Sequence, residues 1–275
     1  MSTLVSVCIP VYNGEPFILE TINMVLAQDY DNMEIIISDN TSSDHTVDKI
    51  KEITDERVQL YQNDHNLGMG GNWNVLLDKA KGEYIIIVCA DDFLLPGAIR
   101  EKARILDENP DVSIVFSAAH VMSEKGKKIF TRKKYHKDMK IDGKTMQKDL
   151  FCSKNFMCEP INNMFRASAA RKTGYFDTSL WYTIDWDYWL RILNFGNAYY
   201  LKKAYSGFRV STTSATGANL NRENRILDDE TVFINKYKTG KIMYVDEDML
   251  ALRKKKVESR LRLKKLFMKI GKIFR

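Results

Sequence analysis

Two adjacent carboxylates close the run Cys89-Ala90-Asp91-Asp92, directly after the apolar stretch Tyr84-Ile85-Ile86-Ile87-Val88. A buried strand ending this way sets two hard anionic oxygen donors at one edge of a sheet. Neighbouring aspartates repel, and withdrawing their charge from water is costly unless donors or a cation satisfy it. Mg²⁺ or Mn²⁺ holding a diphosphate would satisfy it, because both ions take carboxylate and phosphate oxygens. The plain alternative is a solvated loop in which Asp92 caps the following helix.

The elements that must position this pair alternate between strand and helix. Apolar residues 4–9 form a short strand stopped by Pro10, and Phe17, Ile18, Ile22, Val25 and Leu26 share one face of a helix over about 16–28. A second strand spans 33–37. Residues 41–44, Thr-Ser-Ser-Asp, offer an N-cap for a helix carrying Val47, Ile50 and Ile53. A third strand at 58–61 and a Gly- and Asn-rich turn at 66–71 lead to a helix ending at Ala80. The strand at 84–88, a helix over 95–108 and a strand at 112–117 follow. The order predicts an α/β fold, a Rossmann-like, mostly parallel central sheet flanked by helices. Residues 124–148 read as a flexible basic loop, and 184–194 as a helix rich in Trp and Leu.

At 275 residues, 44% apolar and 28% charged, the chain has the composition of an ordinary globular protein. No apolar run reaches transmembrane length, and the N-terminus shows no secretory signal. Cys8 and Cys89 read as core residues, and Cys152 and Cys158 lack zinc-type spacing, which fits a reduced, cytoplasmic protein. The four histidines, 45, 65, 120 and 136, have no metal-ligand partners in sequence. Residues 253–275 carry eleven Lys or Arg against Glu258 alone, a net +10, so the rest of the +6 chain is mildly acidic at −4. This excludes a nucleic-acid-binding body and assigns the basicity to the tail.

A dinucleotide fold is excluded by its glycines: the first strand runs into Pro10-Val11-Tyr12-Asn13-Gly14-Glu15, and there is neither GxGxxG nor a GxxxxGK[ST] loop. Instead, residues 5–15 resemble the first strand and nucleotide loop of the inverting glycosyltransferases of family 2, which have the GT-A fold. The run Glu34-Ile35-Ile36-Ile37-Ser38-Asp39 and its continuation to Asp44 are similar to that family's second-strand motif. Asn66-Leu67-Gly68 with Asn74, Gly82-Glu83-Tyr84-Ile85, Asp91-Asp92, Gly174-Tyr175-Phe176-Asp177 and Asp185-Trp186-Asp187-Tyr188-Trp189 continue the resemblance in order.

The resemblance implies roles. Pro10, Tyr12 and Glu15 would border the base and ribose. Asp39 would accept a hydrogen bond from the nucleobase. An ionised Asp is acceptor-only and suits the N3–H of uracil or thymine, favouring UDP or dTDP. As a plain strand-end residue, Asp39 would cap a turn. Asp91 and Asp92 would bind Mn²⁺ or Mg²⁺, although Cys89 stands at the family's usual first acid and Trp73 where many relatives have Arg. Arg209 would stand near the pyrophosphate. Asp185 would be the catalytic base, with Asp187 as the alternate. Trp181, Tyr182, Trp186 and Trp189 would stack on sugar faces and desolvate Asp185. The plain reading of Asp185 is a helix N-cap beside core tryptophans.

The implied organisation is a GT-A domain over residues 1–250, with a nucleotide-sugar half to about 120 and an acceptor half to 250. A basic amphipathic helix over 251–275 would follow. Its apolar positions run Val257, Leu261, Leu263, Leu266, Phe267, Ile270, Ile273 and Phe274, and from Leu263 onward they share one helix face. It would lie on an anionic membrane at the inner face of the plasma membrane, or pack on the body or a second subunit. The expected activity is metal-dependent, inverting transfer from a nucleotide-sugar donor to a glycan or lipid-linked glycan, in bacterial surface polysaccharide synthesis. The rivals are a sugar-nucleotide nucleotidyltransferase, whose Gly-rich loop is missing, and a non-catalytic nucleotide-sugar-binding or scaffold subunit.

Overall fold

The computed structural model describes residues 2–157, 159–210 and 223–259. Cys158 and the tail from 260 onward, including the apolar positions from Leu261, lie outside the described residues. β1 (Val5–Val11), β2 (Met33–Asp39), β3 (Val58–Gln62) and β4 (Tyr84–Ile87) pair in parallel, in the order β3-β2-β1-β4. Beyond β4, β9 (Asn163–Arg166) runs antiparallel and joins it to β6 (Val112–Met122), which pairs in parallel with β10 (Asn197–Arg209). Among the described residues the sheet has ten strands and is flanked by helices, as the alternation of elements predicts.

Side chains of β1 divide the core. Val5, Val7 and Ile9 face α1 (Ile18–Leu26) and α4 (Ala98–Glu108) in one buried cluster. Cys8 faces α3 (Gly68–Lys79) and α7 (Ile184–Ile192) in another. Pro10 does not stop β1, which continues to Val11 paired with Asp39. Pro10 lacks an N–H, so the β1–β4 ladder ends with Val88 N–H donating to Cys8 O at 2.8 Å. The chain leaves the sheet there and delivers the 89–92 segment to the sheet edge. Gly82 is required at the entrance to β4: a Cβ there would lie 2.6 Å from the Ser6 backbone nitrogen.

The expected basic loop is ordered instead. Residues 124–148 contain β7 (Lys128–Arg132), β8 (Met139–Ile141) and the start of α5 (Gly143–Cys152). Asp142 caps α5, accepting from Thr145 N–H at 2.9 Å. Composition concealed these elements, because β7 lies at the sheet margin among exposed lysines and its first three residues face solvent. The two-residue β5 (Phe93–Leu94), which pairs with β10, was equally illegible.

α8 (Glu223–Lys238) and a helix over 247–259 close over α7. Met249, Arg253 and Val257 are buried, so the described start of the tail packs on the body, and Arg253 is withdrawn from any membrane surface. Its guanidinium pairs with Glu230 at 2.7 Å, donates to Phe151 O at 3.0 Å and lies 4.0 Å from the Trp186 and Phe233 rings. Arg253→Ala is expected to cost about 3–5 kcal/mol in urea unfolding, because Glu230 would remain buried without this guanidinium. Arg253→Met in the Glu230→Gln background should recover much of that loss.

Candidate active site

The carboxyl ends of β1, β2 and β4 and the far end of β10 meet at one edge of the sheet, where open α/β folds bind ligands. Two loops form one wall. The loop after β1 and the loop after β2 are stitched together: Asn13 N–H donates to Ser42 Oγ at 2.8 Å, Gly14 N–H to Thr46 Oγ1 at 2.9 Å and Glu15 N–H to Asp44 Oδ2 at 3.1 Å. Asn13 and Thr41 adopt positive φ, 51° and 68°, to make these turns. Asp44 therefore ties the loops together, while α2 (Thr46–Lys51) begins after His45. Tyr12 is exposed at the mouth, and Glu15 is paired with Lys49 at 3.3 Å.

Asp39 lies at the floor of this wall, almost wholly buried. Its Oδ2 accepts from Ser42 N–H at 3.1 Å, so the turn-capping reading is correct for one oxygen. Its Oδ1 is buried without a hydrogen-bond partner. A buried carboxylate oxygen left unmatched is a strong acceptor for a ligand donor. Behind it, Asn40, Asn63, Asn66 and Asn72 form an amide network: Asn40 donates to Asn66 at 2.9 Å and Asn63 to Asn72 at 2.9 Å. This network explains the Asn66-Leu67-Gly68 run, and α3 starts within the expected turn, at Gly68.

The opposite wall is acidic. Burial raises the Asp91 carboxyl, and Glu159 adds to the rise. Asp92 is pushed well above the carboxylate range by burial, then by Asp91 and Glu159. Asp185, at the start of α7, is pushed up to about 7 by burial, with Glu159 again contributing. Asp185 accepts from Asn155 Nδ2 at 2.9 Å and from Trp186 N–H at 2.7 Å, and it remains partly open to solvent. Glu159 is therefore common to all three carboxyls. It emerges from the segment before β9, and its carboxylate pairs with Arg132 of β7, at 2.5 Å. No motif marked Glu159, since it acts only through proximity in the fold.

Arg209 holds this wall from below. Its N–H donates to Asp92 Oδ1 at 3.0 Å, its Nε to Asp91 O at 2.7 Å, its Nη1 to Glu124 O at 2.5 Å and its Nη2 to Glu20 at 2.5 Å. The guanidinium lies between the Phe17 and Phe93 rings, 4.2 and 4.1 Å from their centroids. Arg209 thus fixes the shape of the Asp91–Asp92 turn. Asp229 of α8 does the same for Asp185: it accepts from the N–H groups of Trp181 and Thr183 at 2.7 and 2.9 Å, holding the turn that precedes α7. Sequence reading missed Asp229 because its role depends on a contact spanning dozens of residues.

Three expectations are corrected here. Asp187 is no alternate base: it is fully buried, ion-paired with Arg191 and Lys236 at 2.8 Å each, and bonded to the Tyr237 hydroxyl at 3.0 Å. Trp186 and Trp189 are core residues, 2% and 0% exposed, so of these four aromatics only Trp181 and Tyr182 remain near the surface. Cys89 lies past the end of β4 and is only partly buried. Trp73 packs edge-on to Phe176 in the core. Among the described residues, no group of three or more His, Cys, Asp or Glu is arranged to hold a metal, so an ion here would rest on Asp91 or Asp92 together with oxygens from its ligand.

A sheet flanked by helices, with an acidic cleft at the carboxyl ends of its parallel strands, defines an α/β fold of the enzyme type. Residues 6–174 match the family model for glycosyl transferase family 2, and the chain belongs to that family and is a glycosyltransferase. It is 30% identical over 223 residues to an uncharacterised glycosyltransferase of Rickettsia typhi, spanning 80% of this chain and 68% of that one. Over 122 residues it is 34% identical to an Escherichia coli protein, UDP-Glc:alpha-D-GlcNAc-diphosphoundecaprenol beta-1,3-glucosyltransferase WfaP, covering 44% of this chain and 47% of the other. The fold is that of S. aureus TarS, solved with UDP-GlcNAc: TM-score 0.70 at 17% identity, over 94% of this chain and 72% of that one. It is also that of the Pyrobaculum calidifontis mannosyltransferase PcManGT, solved with GDP-Man and Mn²⁺: TM-score 0.62 at 16% identity, over 86% and 65%. These neighbours establish the GT-A fold.

Proposed function

We propose that this protein is a metal-dependent, inverting glycosyltransferase that moves a sugar from a UDP- or dTDP-linked donor to a glycan or lipid-linked glycan. The observation that carries the reading is the gathering of Asp185, raised to about 7, with Asp91 and Asp92 around Glu159. A base at about 7 is half ionised at neutral pH and matched to taking a proton from a sugar hydroxyl. In the reaction the acceptor hydroxyl loses its proton to Asp185, its oxygen bonds to the donor's anomeric carbon, and the bond from that carbon to the diphosphate oxygen breaks. One displacement inverts the configuration.

The residues present fit a divalent cation: Asp91 and Asp92 are withdrawn from water and repel each other, so a positive ion would relieve both. Bound there, Mn²⁺ or Mg²⁺ would supply Lewis-acid stabilisation of the departing diphosphate. Arg209 would support the pyrophosphate end by holding the Asp91–Asp92 turn. Pro10, Tyr12 and Glu15 would border base and ribose, and Asp39 Oδ1 would accept from the base. On this reading residues 1–120 are the donor half and 121–250 the acceptor half. The similarity to WfaP, a protein named for transfer to GlcNAc-diphosphoundecaprenol, supports a lipid-linked acceptor, and with it a role in surface polysaccharide synthesis. Among the described residues no helix is long and apolar enough to cross a membrane. On this reading the enzyme works at the inner face of the plasma membrane as a peripheral protein, its basic tail supplying the attraction to anionic lipid.

Calorimetric titration with UDP, dTDP, GDP and CDP, each with and without Mn²⁺, tests the donor site. Binding of UDP or dTDP only with metal is expected. Absence of binding to every nucleotide by the folded protein would remove the reading. Asp39→Asn should weaken UDP about ten- to a hundredfold, as expected for a lost charged hydrogen bond. The same variant should improve CDP relative to UDP, because the amide can donate to cytosine N3.

A further inference from the structure

The hairpin joining β6 to β7 presents a surface that donor chemistry does not use. Ile129 and Phe130 are 58% and 52% exposed, and Lys125, Lys127, Lys128 and Lys133 are exposed around them. Arg132 and Lys134 of this segment are ion-paired, with Glu159 and Asp149, whereas these four lysines stand without an ion pair among the described residues. Their field is felt locally: His120 is held below its ordinary range by burial and then by Lys128 and Lys133. β7 pairs with β6 alone, with Val121 opposite Phe130 and Met122 opposite Lys128, so Ile129 is the extra residue of a bulge.

Lysines on a sheet margin commonly guard against edge-to-edge pairing. A guard alone does not explain two large apolar side chains set outward among them. Apolar groups ringed by unpaired lysines complement a surface that is anionic above and hydrocarbon below. The rest of the body, outside the tail, is net acidic, so the positive field here is a local feature.

The hairpin is also fastened to the cleft. Gly126, at φ 74°, lies against the Phe93 ring that stacks on Arg209, where a Cβ would come within 3.3 Å. Glu124 O accepts from Arg209, and Arg132 pairs with Glu159. A surface held by this hairpin would therefore stand at a fixed distance from Asp91, Asp92 and Asp185.

We propose that the β6–β7 hairpin docks on an anionic lipid surface through Ile129 and Phe130 and the lysines around them, presenting the cleft to acceptors anchored in that surface. This deepens the proposed function in its lipid-linked acceptor, while the docking itself needs neither donor nor turnover. The test is co-sedimentation of the full chain, without nucleotide, with phosphatidylcholine vesicles containing or lacking phosphatidylglycerol. The variants are Ile129→Ser with Phe130→Ser, and Lys127→Gln with Lys128→Gln.

Wild type should bind only the anionic vesicles. The lysine pair should lose roughly thirtyfold in partition, the loss expected for two cations near such a surface. The apolar pair should lose about tenfold or more. Both variants should keep metal-dependent nucleotide binding and transfer to a short, water-soluble acceptor. Unchanged vesicle binding in both would overturn the proposal and leave membrane contact to the tail. Equal binding of wild type to neutral vesicles would overturn the electrostatic basis. Lost transfer to the soluble acceptor with vesicle binding intact would make the hairpin a glycan-contacting element instead. Failure of nucleotide binding in wild type with vesicle docking retained would strike the donor reading and spare this one.

Discussion

Asp185→Asn is expected to lower kcat by about 10²–10⁴-fold, the range for loss of a positioned general base, while making the protein harder to unfold at alkaline pH. The two effects share one cause. Burial pushes the folded Asp185 carboxyl up to about 7, against an unfolded value near ~3.9. Between these values the native chain holds a proton that the unfolded chain has released. Stability from this group is thus full below about pH 4, falls as pH rises, and its loss is complete above about pH 7. Three units correspond to about 4 kcal/mol at most, and partial access to water reduces this to about 1–3 kcal/mol.

Asn keeps the oxygen that accepts from Trp186 N–H and removes the charge. Urea midpoints should therefore rise in the variant at pH 8 and match wild type at pH 4. In wild type kcat/KM should climb with pH through about 7, since only ionised Asp185 accepts the proton, with the limb displaced downward if a bound cation lowers that value. A variant that retains most of its turnover would end the catalytic role of Asp185. A variant whose stability gain is as large at pH 4 as at pH 8 would end the linkage argument.

The same energetic conflict explains what was legible in the sequence. Strand and helix order through β4 followed from period and from Pro and Gly punctuation, because apolar faces must be buried wherever they occur. Asp91 and Asp92 stood out because adjacent carboxylates at the end of a buried strand contradict the local apolar pattern, whereas Asp39 and Asp185 were marked by the resemblance to the family's motifs. Pro10 was read as ending a strand, yet it ended a single ladder, a distinction that only the neighbouring strand defines. Glu159, Asp229 and the pairing of Arg132 were invisible for a different reason. Each lies in unremarkable polar sequence and gains its role from a partner far along the chain. Tryptophans beside Asp185 misled because aromatic residues serve cores and sugar faces alike, and helical period alone does not say which side of α7 meets the cleft. The lysine-rich stretch misled because composition reports exposure, and an exposed marginal strand is as polar as a loop.

Removal of divalent cation is expected to have the other large effect: chelation should reduce transfer by roughly 10³-fold, and Mn²⁺ should restore it. The acidic wall argues for this. Asp91 and Asp92 bear burial and mutual repulsion, and the nearest positive group, Arg209, spends its donors on Asp91 O, Glu124 O and Glu20. A diphosphate brought to this wall without a cation would meet carboxylates of its own sign, so its binding and the ion's should be mutually dependent. Asp91→Asn and Asp92→Asn are therefore expected to weaken UDP binding in Mn²⁺ by about tenfold or more each, and to make binding without Mn²⁺ better than in wild type, because repulsion is relieved. That crossing of effects separates a cation site from a merely structural pair: two residues needed only for folding would lower binding in both conditions. UDP binding by wild type that is equally tight in chelator would remove the cation from the reaction and leave charge neutralisation to protein groups alone.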